Sequence, residues 1–319
     1  FSPGDTWIRL RILAAESDLQ AGPKETDYWP VLRVGPYFLD DLKFYEQQGE
    51  RWLMQQGGDR HTKDIALCPD DLYCFALAAF DGVSATVYLK VQSASVRVVQ
   101  TSVLPANEVL PDAIKRINRM TVSLTLAVAL LILALAFLFL ERSGLLHVYC
   151  WFQASVVFAI AATSGVLAQW LPFVTAETIN QMSNMGQVVR VAMTVLLGWV
   201  VLKTCNPTKA YQTAIVVMVG LCGVNLLVVW MGNPEIALRI NSAVLWLNPL
   251  VQLGGVLSGR NFPPRLRMIL LIGWSIFLFF TTLGVYASMG FLAWRDHLGL
   301  FQSIGDWRLN GVPIGMVVF

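Results

Sequence analysis

Only three histidines occur among the 319 residues, His61, His147 and His297. They fall on segments assigned below to an exported domain, the inner start of a membrane span and an outer loop, so no pair of them can share a metal ion or activate a nucleophile. Ser164, followed by Gly165 inside an apolar run, has no histidine in the membrane to deprotonate it. A retinal pigment would need a lysine within a span, and Lys203 and Lys209 both fall in a loop. No catalysis, cofactor or metal is therefore expected in this chain, and the residue types left to consider are those of binding. Trp7, Arg9, Trp29, Tyr37, Tyr45, Trp52 and His61 are the candidates, because aromatic faces pack against the C–H faces of sugar rings while polar neighbours bond the hydroxyls. The same side chains would serve as the core or rim of a β-sandwich.

A second group of candidates lies in apolar surroundings. Arg190 stands some ~10 Å along a helix from the nearer end of its apolar run, a depth at which a guanidinium must be paired, solvated or able to snorkel. Asn241, Asn248 and Gln252 follow one another at i, i+7 and i+11, which puts them on one helical face. With Asn225 they could form a polar seam between helices, either structural or part of a ligand site. Gly255 and Gly259, four apart, permit close helix contact.

These residues have to be positioned by two kinds of element. The chain is 55% hydrophobic and 14% charged, with a mean hydropathy of +0.57, which no water-soluble domain of this size shows. Residues 1–119 hold 16 acidic and 13 basic side chains and the remaining 200 only 5 and 10. One soluble domain therefore precedes one membrane domain. Neither half has the basic block that a nucleic-acid partner would require. Apolar runs long enough to cross the bilayer lie at 120–140, 145–169, 183–202, 211–231, 237–257 and 268–291. A further run, 312–319, would rise only ~12 Å as a helix. It is expected to be completed by residues beyond Phe319, followed by an output domain. Arg142, Lys203, Lys209, Arg260, Arg265 and Arg267 fall on one side of the membrane against Arg239, Arg295 and Arg308 on the other. By the positive-inside rule this places the N-terminal domain outside and the C-terminus in the cytoplasm. No signal peptide stands at Phe1, so one is expected either to have been removed on maturation or to lie outside the given residues.

Residues 1–103 read as about seven short strands between Gly, Pro and Asp turns, an all-β sandwich. Thr6 to Leu13 alternates Ile8, Leu10 and Ile12 with Trp7, Arg9 and Arg11, one buried and one wet face. Residues 104–119, with Pro105 and Pro111, form a connector, and 120–319 a seven-span domain. Cys68 and Cys74 are expected to close a short disulfide loop in an oxidising compartment, the alternative being two buried thiols.

Several stretches carry a family resemblance: Trp7-Ile8-Arg9-Leu10, the run from Val31 to Tyr45 (VLRVGPYFLDDLKFY), Gly58-Asp59, and Val87-Tyr88-Leu89-Lys90-Val91-Gln92-Ser93. In this order, before such a set of spans, they resemble the bacterial seven-transmembrane receptors with diverse intracellular signalling modules (7TMR-DISM), in the subgroup with the type 2 extracellular domain. The resemblance implies a jelly-roll-like β-sandwich followed by a seven-helix transmembrane bundle in the bacterial inner membrane. It further implies an exported domain that senses a ligand, often proposed to be a carbohydrate, and a cytoplasmic output, a diguanylate cyclase or alternatively a histidine kinase, working as a homodimer. Gly57-Gly58-Asp59-Arg60 shares three residues with the Gly-Gly-Asp-Glu-Phe signature of cyclases but lacks its Glu-Phe, and is read as a turn. The rival from another class, a transporter or channel with an exported lid, would call for a polar path and paired, interrupted helices.

Overall fold

A computed structural model of the chain describes residues 6–13, 30–35, 39, 41–58, 72–78, 80, 84–92, 99–164, 166–171, 173–203, 206–259 and 263–288. The chain divides into two compact units, one of Phe1–Met120 with Leu167–Asn180 and one of Thr121–Val166 with Gln181–Phe319.

The first unit contains seven antiparallel strands: β1 (Thr6–Leu13), β2 (Pro30–Gly35), β3 (Asp41–Gln48), β4 (Arg51–Gly57), β5 (Tyr73–Ala76), β6 (Ser84–Gln92) and β7 (Gln100–Pro105). They pair into a four-stranded sheet A, in the order β1-β6-β3-β4, and a three-stranded sheet B, in the order β5-β2-β7. The expected strand set is thus found, with ends displaced by a few residues. Period-two alternation decides which side chains go inward. Leu42, Phe44, Val87, Leu89 and Val91 of sheet A meet Leu32, Val34, Tyr73 and Phe75 of sheet B in one buried core. Phe44 and Phe75, one from each sheet, stack at 4.6 Å with their planes 9° apart. Such an aromatic contact adds about 0.5–1.5 kcal/mol to the burial of the two rings. The tight β3–β4 hairpin turns at Gly49, whose φ of 62° suits a residue without a Cβ.

Seven helices follow: α1 (Ala106–Leu140), α2 (Gly144–Thr163), the short α3 (Val166–Trp170), α4 (Ala176–Lys203), α5 (Lys209–Trp230), α6 (Pro234–Ser258) and α7 (Pro264–Ser288). β7 runs directly into α1, so the expected connector 104–119 is helical almost throughout. Pro111 lies inside α1, one turn past its start, and its missing amide leaves the Asn107 carbonyl without its intrahelical donor. At 35 residues, α1 is far longer than the roughly 20 residues that a hydrocarbon core requires. Five segments among the described residues are long and apolar enough to cross a membrane: Ala106–Leu140, Gly144–Thr163, Glu177–Lys203, Lys209–Trp230 and Ile236–Ser258. The sixth expected span coincides with α7, and 312–319 lies outside the described residues.

Large apolar side chains on these helices point outward, among them Val122, Ile132 and Phe139 of α1, Val216, Val224 and Leu227 of α5, and Ile272, Ile276 and Phe279 of α7. Surface of that kind is unfavourable in water and is the normal lipid-facing side of a membrane helix, whose backbone groups are satisfied internally. Ser143 caps α2, its Oγ accepting from the Leu146 amide at 3.2 Å. Gly232, at φ 80°, turns the chain from α5 to α6.

Candidate ligand-binding face and polar membrane interior

Trp7, Arg9, Tyr45 and Trp52 share the outer face of sheet A, opposite the core. Trp7 and Trp52 are 58% and 53% exposed, too much for core residues. Trp7 of β1 reaches over β6 to Tyr45 of β3, the ring centroids 5.4 Å apart. Trp52 of β4 reaches over β3 to Tyr88 of β6, an edge-on contact at 5.7 Å. The two aromatic pairs therefore overlap across all four strands. Lys90 Nζ lies 5.8 Å from the centre of the Trp7 ring, within cation–π range. The strand register fixes the neighbours: Trp7 is opposite Lys90 and Arg9 opposite Tyr88, Lys90 is opposite Lys43 and Tyr88 opposite Tyr45, and Tyr45 is opposite Met54.

Sequence reasoning missed Tyr88, Lys90 and Lys43 as members of this face. The signal was available in β6, where Tyr88 and Lys90 alternate with Val87, Leu89 and Val91. Trp29, Tyr37 and His61 lie outside the described residues, as does Cys68. Cys74 is disulfide-bonded.

The outer face of sheet B has a different character. Arg33 alternates with the core residues Leu32 and Val34 and so points away from the core, yet it is only 3% exposed. Its guanidinium donates to the Asp112 carboxylate in the first turns of α1. Cys74 and Ser102 flank Arg33 on the neighbouring strands. Among the described residues, the outer face of sheet A thus carries exposed tryptophans, and that of sheet B an ion pair to the helix that follows.

Within the second unit the predicted polar residues are all buried: Arg190, Asn225, Asn241, Asn248 and Gln252. Arg190 donates to Gln187 Oε1 at 3.0 Å. Gln252 Nε2 donates to Asn248 Oδ1 at 3.1 Å, one turn away on α6. Asn248 Nδ2, Gln252 Oε1 and Asn225 Oδ1 meet no hydrogen-bonding partner among the described residues. Pro249, between the paired amides, removes the backbone donor that would bond the carbonyl of Leu245. Gln252 lies directly on α4, since a Cβ at Gly198 would come within 2.1 Å of its Nε2. The close approach expected of Gly255 is present, with Leu202 Cδ1 at 2.7 Å from a Cβ placed there, and the Tyr211 ring crosses Gly254. Gln153, missed in the sequence, donates from α2 to the Ala127 carbonyl of α1 at 3.0 Å. Among the described residues no cluster of His, Cys, Asp and Glu has the makings of a metal site.

An antiparallel sandwich preceding a set of apolar helices defines a membrane protein with a folded β domain ahead of its spans. Residues 1–104 match the family model described as 7TMR-DISM extracellular 2, and this match together with the apolar helices supports a transmembrane sensor or receptor. No curated protein and no solved structure matches the chain.

Proposed function

We propose that this chain is the input part of a bacterial inner-membrane receptor whose sandwich binds a ligand, a carbohydrate, on the outer face of sheet A. The observation that carries the proposal is the division of labour between the two sheets. Sheet A carries Trp7, Tyr45, Trp52 and Tyr88 on its outer face, the two tryptophans exposed, while sheet B is tied through Arg33 to α1, the helix that continues to Leu140.

In this reading the ligand prefers one packing of sheet on sheet, and the preference reaches α1 through the Arg33–Asp112 pair as a shift in population between two arrangements. The family resemblance supports a cytoplasmic output that follows the seventh helix, a diguanylate cyclase first and a histidine kinase second, working in a homodimer. The test uses the full-length receptor in cells, with cyclic dinucleotide level or phosphoryl transfer as the readout. Trp7→Ala is expected to abolish the response to ligand, and Asp112→Asn to change the basal output while leaving ligand binding intact. A receptor that inserts normally and responds unchanged with both substitutions sinks the proposal.

A further inference from the structure

The geometry points to an acidic saccharide, one carrying a carboxylate on its sugar rings, as the ligand of the sheet A face. This rests on the reading of that face as the ligand site and deepens it.

Four basic side chains, Arg9, Arg11, Lys43 and Lys90, occupy outward positions of β1, β3 and β6, as the strand pairing shows. Among the described residues, the carboxylate at the outward positions of sheet A is Asp41, at one end, where Gln56 donates to it at 2.8 Å and Lys43 Nζ stands 3.8 Å away. Glu46, the other acid of β3, faces inward and is buried. Lys43 and Lys90 are directly opposite one another on adjacent strands. A carboxylate laid across this pair would meet two ammonium groups one strand spacing apart. A neutral sugar would need the rings and not this excess of positive charge.

The arrangement of the charges argues in the same direction. They are interleaved with the rings rather than segregated from them: Trp7 beside Lys90, Tyr88 beside Arg9. Adjacent strands lie about 4.8 Å apart, so a ring stacked on one aromatic side chain has a cation within one strand spacing. That pattern suits a ligand in which every unit has both an apolar C–H face and a carboxylate. A single-stranded nucleic acid also combines stacking with negative charge. It fits less well, because residues 1–119 carry more acids than bases, 16 against 13, and a long phosphate chain would be repelled beyond the face itself.

The experiment titrates the full chain, held in nanodiscs of zwitterionic lipid, with oligogalacturonate, with a neutral cello-oligosaccharide of the same length, and with oligothymidylate. Oligogalacturonate is expected to bind, with an affinity that falls as NaCl rises from about 50 mM to about 500 mM through screening. The double substitution Arg9→Gln with Lys90→Gln should weaken it by about tenfold or more, and so should Trp7→Ala, which leaves every charge in place. Equal, salt-insensitive binding of the neutral oligosaccharide that is lost in Trp7→Ala overturns the acidic assignment and keeps the carbohydrate site. Equal binding of oligothymidylate, indifferent to Trp7→Ala, shows attraction by charge alone and overturns the assignment as well. If no saccharide binds, acidic or neutral, the reading of the face as a carbohydrate site falls with it.

Discussion

Arg33 shows how far a single side chain departs from what its type suggests. On a strand that is otherwise Pro-Val-Leu-Val-Gly it occupies the face away from the core, where a charged residue would ordinarily meet water, and yet it is buried and bonded to Asp112. Removing the charge of its partner leaves a buried guanidinium to be satisfied in other ways, which costs about 1–3 kcal/mol for hydrogen bonds to charged groups. Asp112→Asn is therefore expected to lower the thermal stability of the sandwich in the detergent-solubilised chain. A midpoint unchanged from the wild type would show that the pair contributes nothing. Trp52 is the opposite case: it is exposed, it contacts Tyr88 at one edge, and Trp52→Ala should alter stability by no more than about 0.5 kcal/mol. Its loss should instead be read in ligand affinity. The alternation of Thr6 to Leu13 made Trp7 and Arg9 legible as outward-facing, but nothing in that strand shows that Tyr45 approaches Trp7, because β6 lies between them and is paired through residues eighty positions away in sequence.

At the scale of elements, the sandwich and the helices are held by different forces. The two sheets are joined by apolar burial centred on the Phe44–Phe75 stack, so Phe44→Ala should cost about 3–5 kcal/mol through lost contact and the cavity left behind. Chemical denaturation of the full chain followed by a probe in the sandwich would measure it, and a loss below about 1 kcal/mol would show that the core refills. In the membrane there is no hydrophobic drive between helices, and close packing of small residues takes its place. Gly198, on which the Gln252 amide rests, is such a position. The Asn248–Gln252 pair on α6 leaves one donor and one acceptor without a partner among the described residues, so it is expected to add little to stability. The single change Asn248→Leu also strands Gln252 Nε2 and should destabilise by about 1–3 kcal/mol. The double change Asn248→Leu with Gln252→Met should be neutral or stabilising, a pattern that a double-mutant cycle on thermal midpoints resolves. A double mutant as destabilised as the sum of the singles would show that each amide stabilises the helix independently.

The whole molecule joins a β-sandwich to membrane helices, and the orientation proposed for it rests on charge rather than on shape. With Cys150, Cys205 and Cys222 replaced by serine, Ser143→Cys beside Arg142 should react with a membrane-impermeant maleimide only after the cells are permeabilised. Met231→Cys, at the far end of α5, should react in cells whose outer membrane alone has been opened. The reverse pattern would invert the proposed topology.

What the sequence determined by itself is what depends on local period and composition. The seven strands follow from alternation and turn residues, and the spans from length and apolarity. The division into two parts follows from charge density, and the domain type from the order of its matching stretches. The buried state of Asn225, Asn248 and Gln252 was also legible, since a short polar side chain in an apolar helix has nowhere favourable to point except inward, whereas Arg190 could equally have snorkelled and only the structure shows it buried. The tertiary structure decided what depends on which strands become neighbours. The order β1-β6-β3-β4 brings Trp7, Tyr45, Trp52 and Tyr88 together and sets Lys43 against Lys90, while the covering of one sheet face by Asp112 turns an ordinary surface arginine into an anchor for the first helix. Side-chain alternation assigns each residue to a face, but only the pairing of distant strands fills that face with its neighbours, because the free energy of pairing is spread over contacts that no local segment contains.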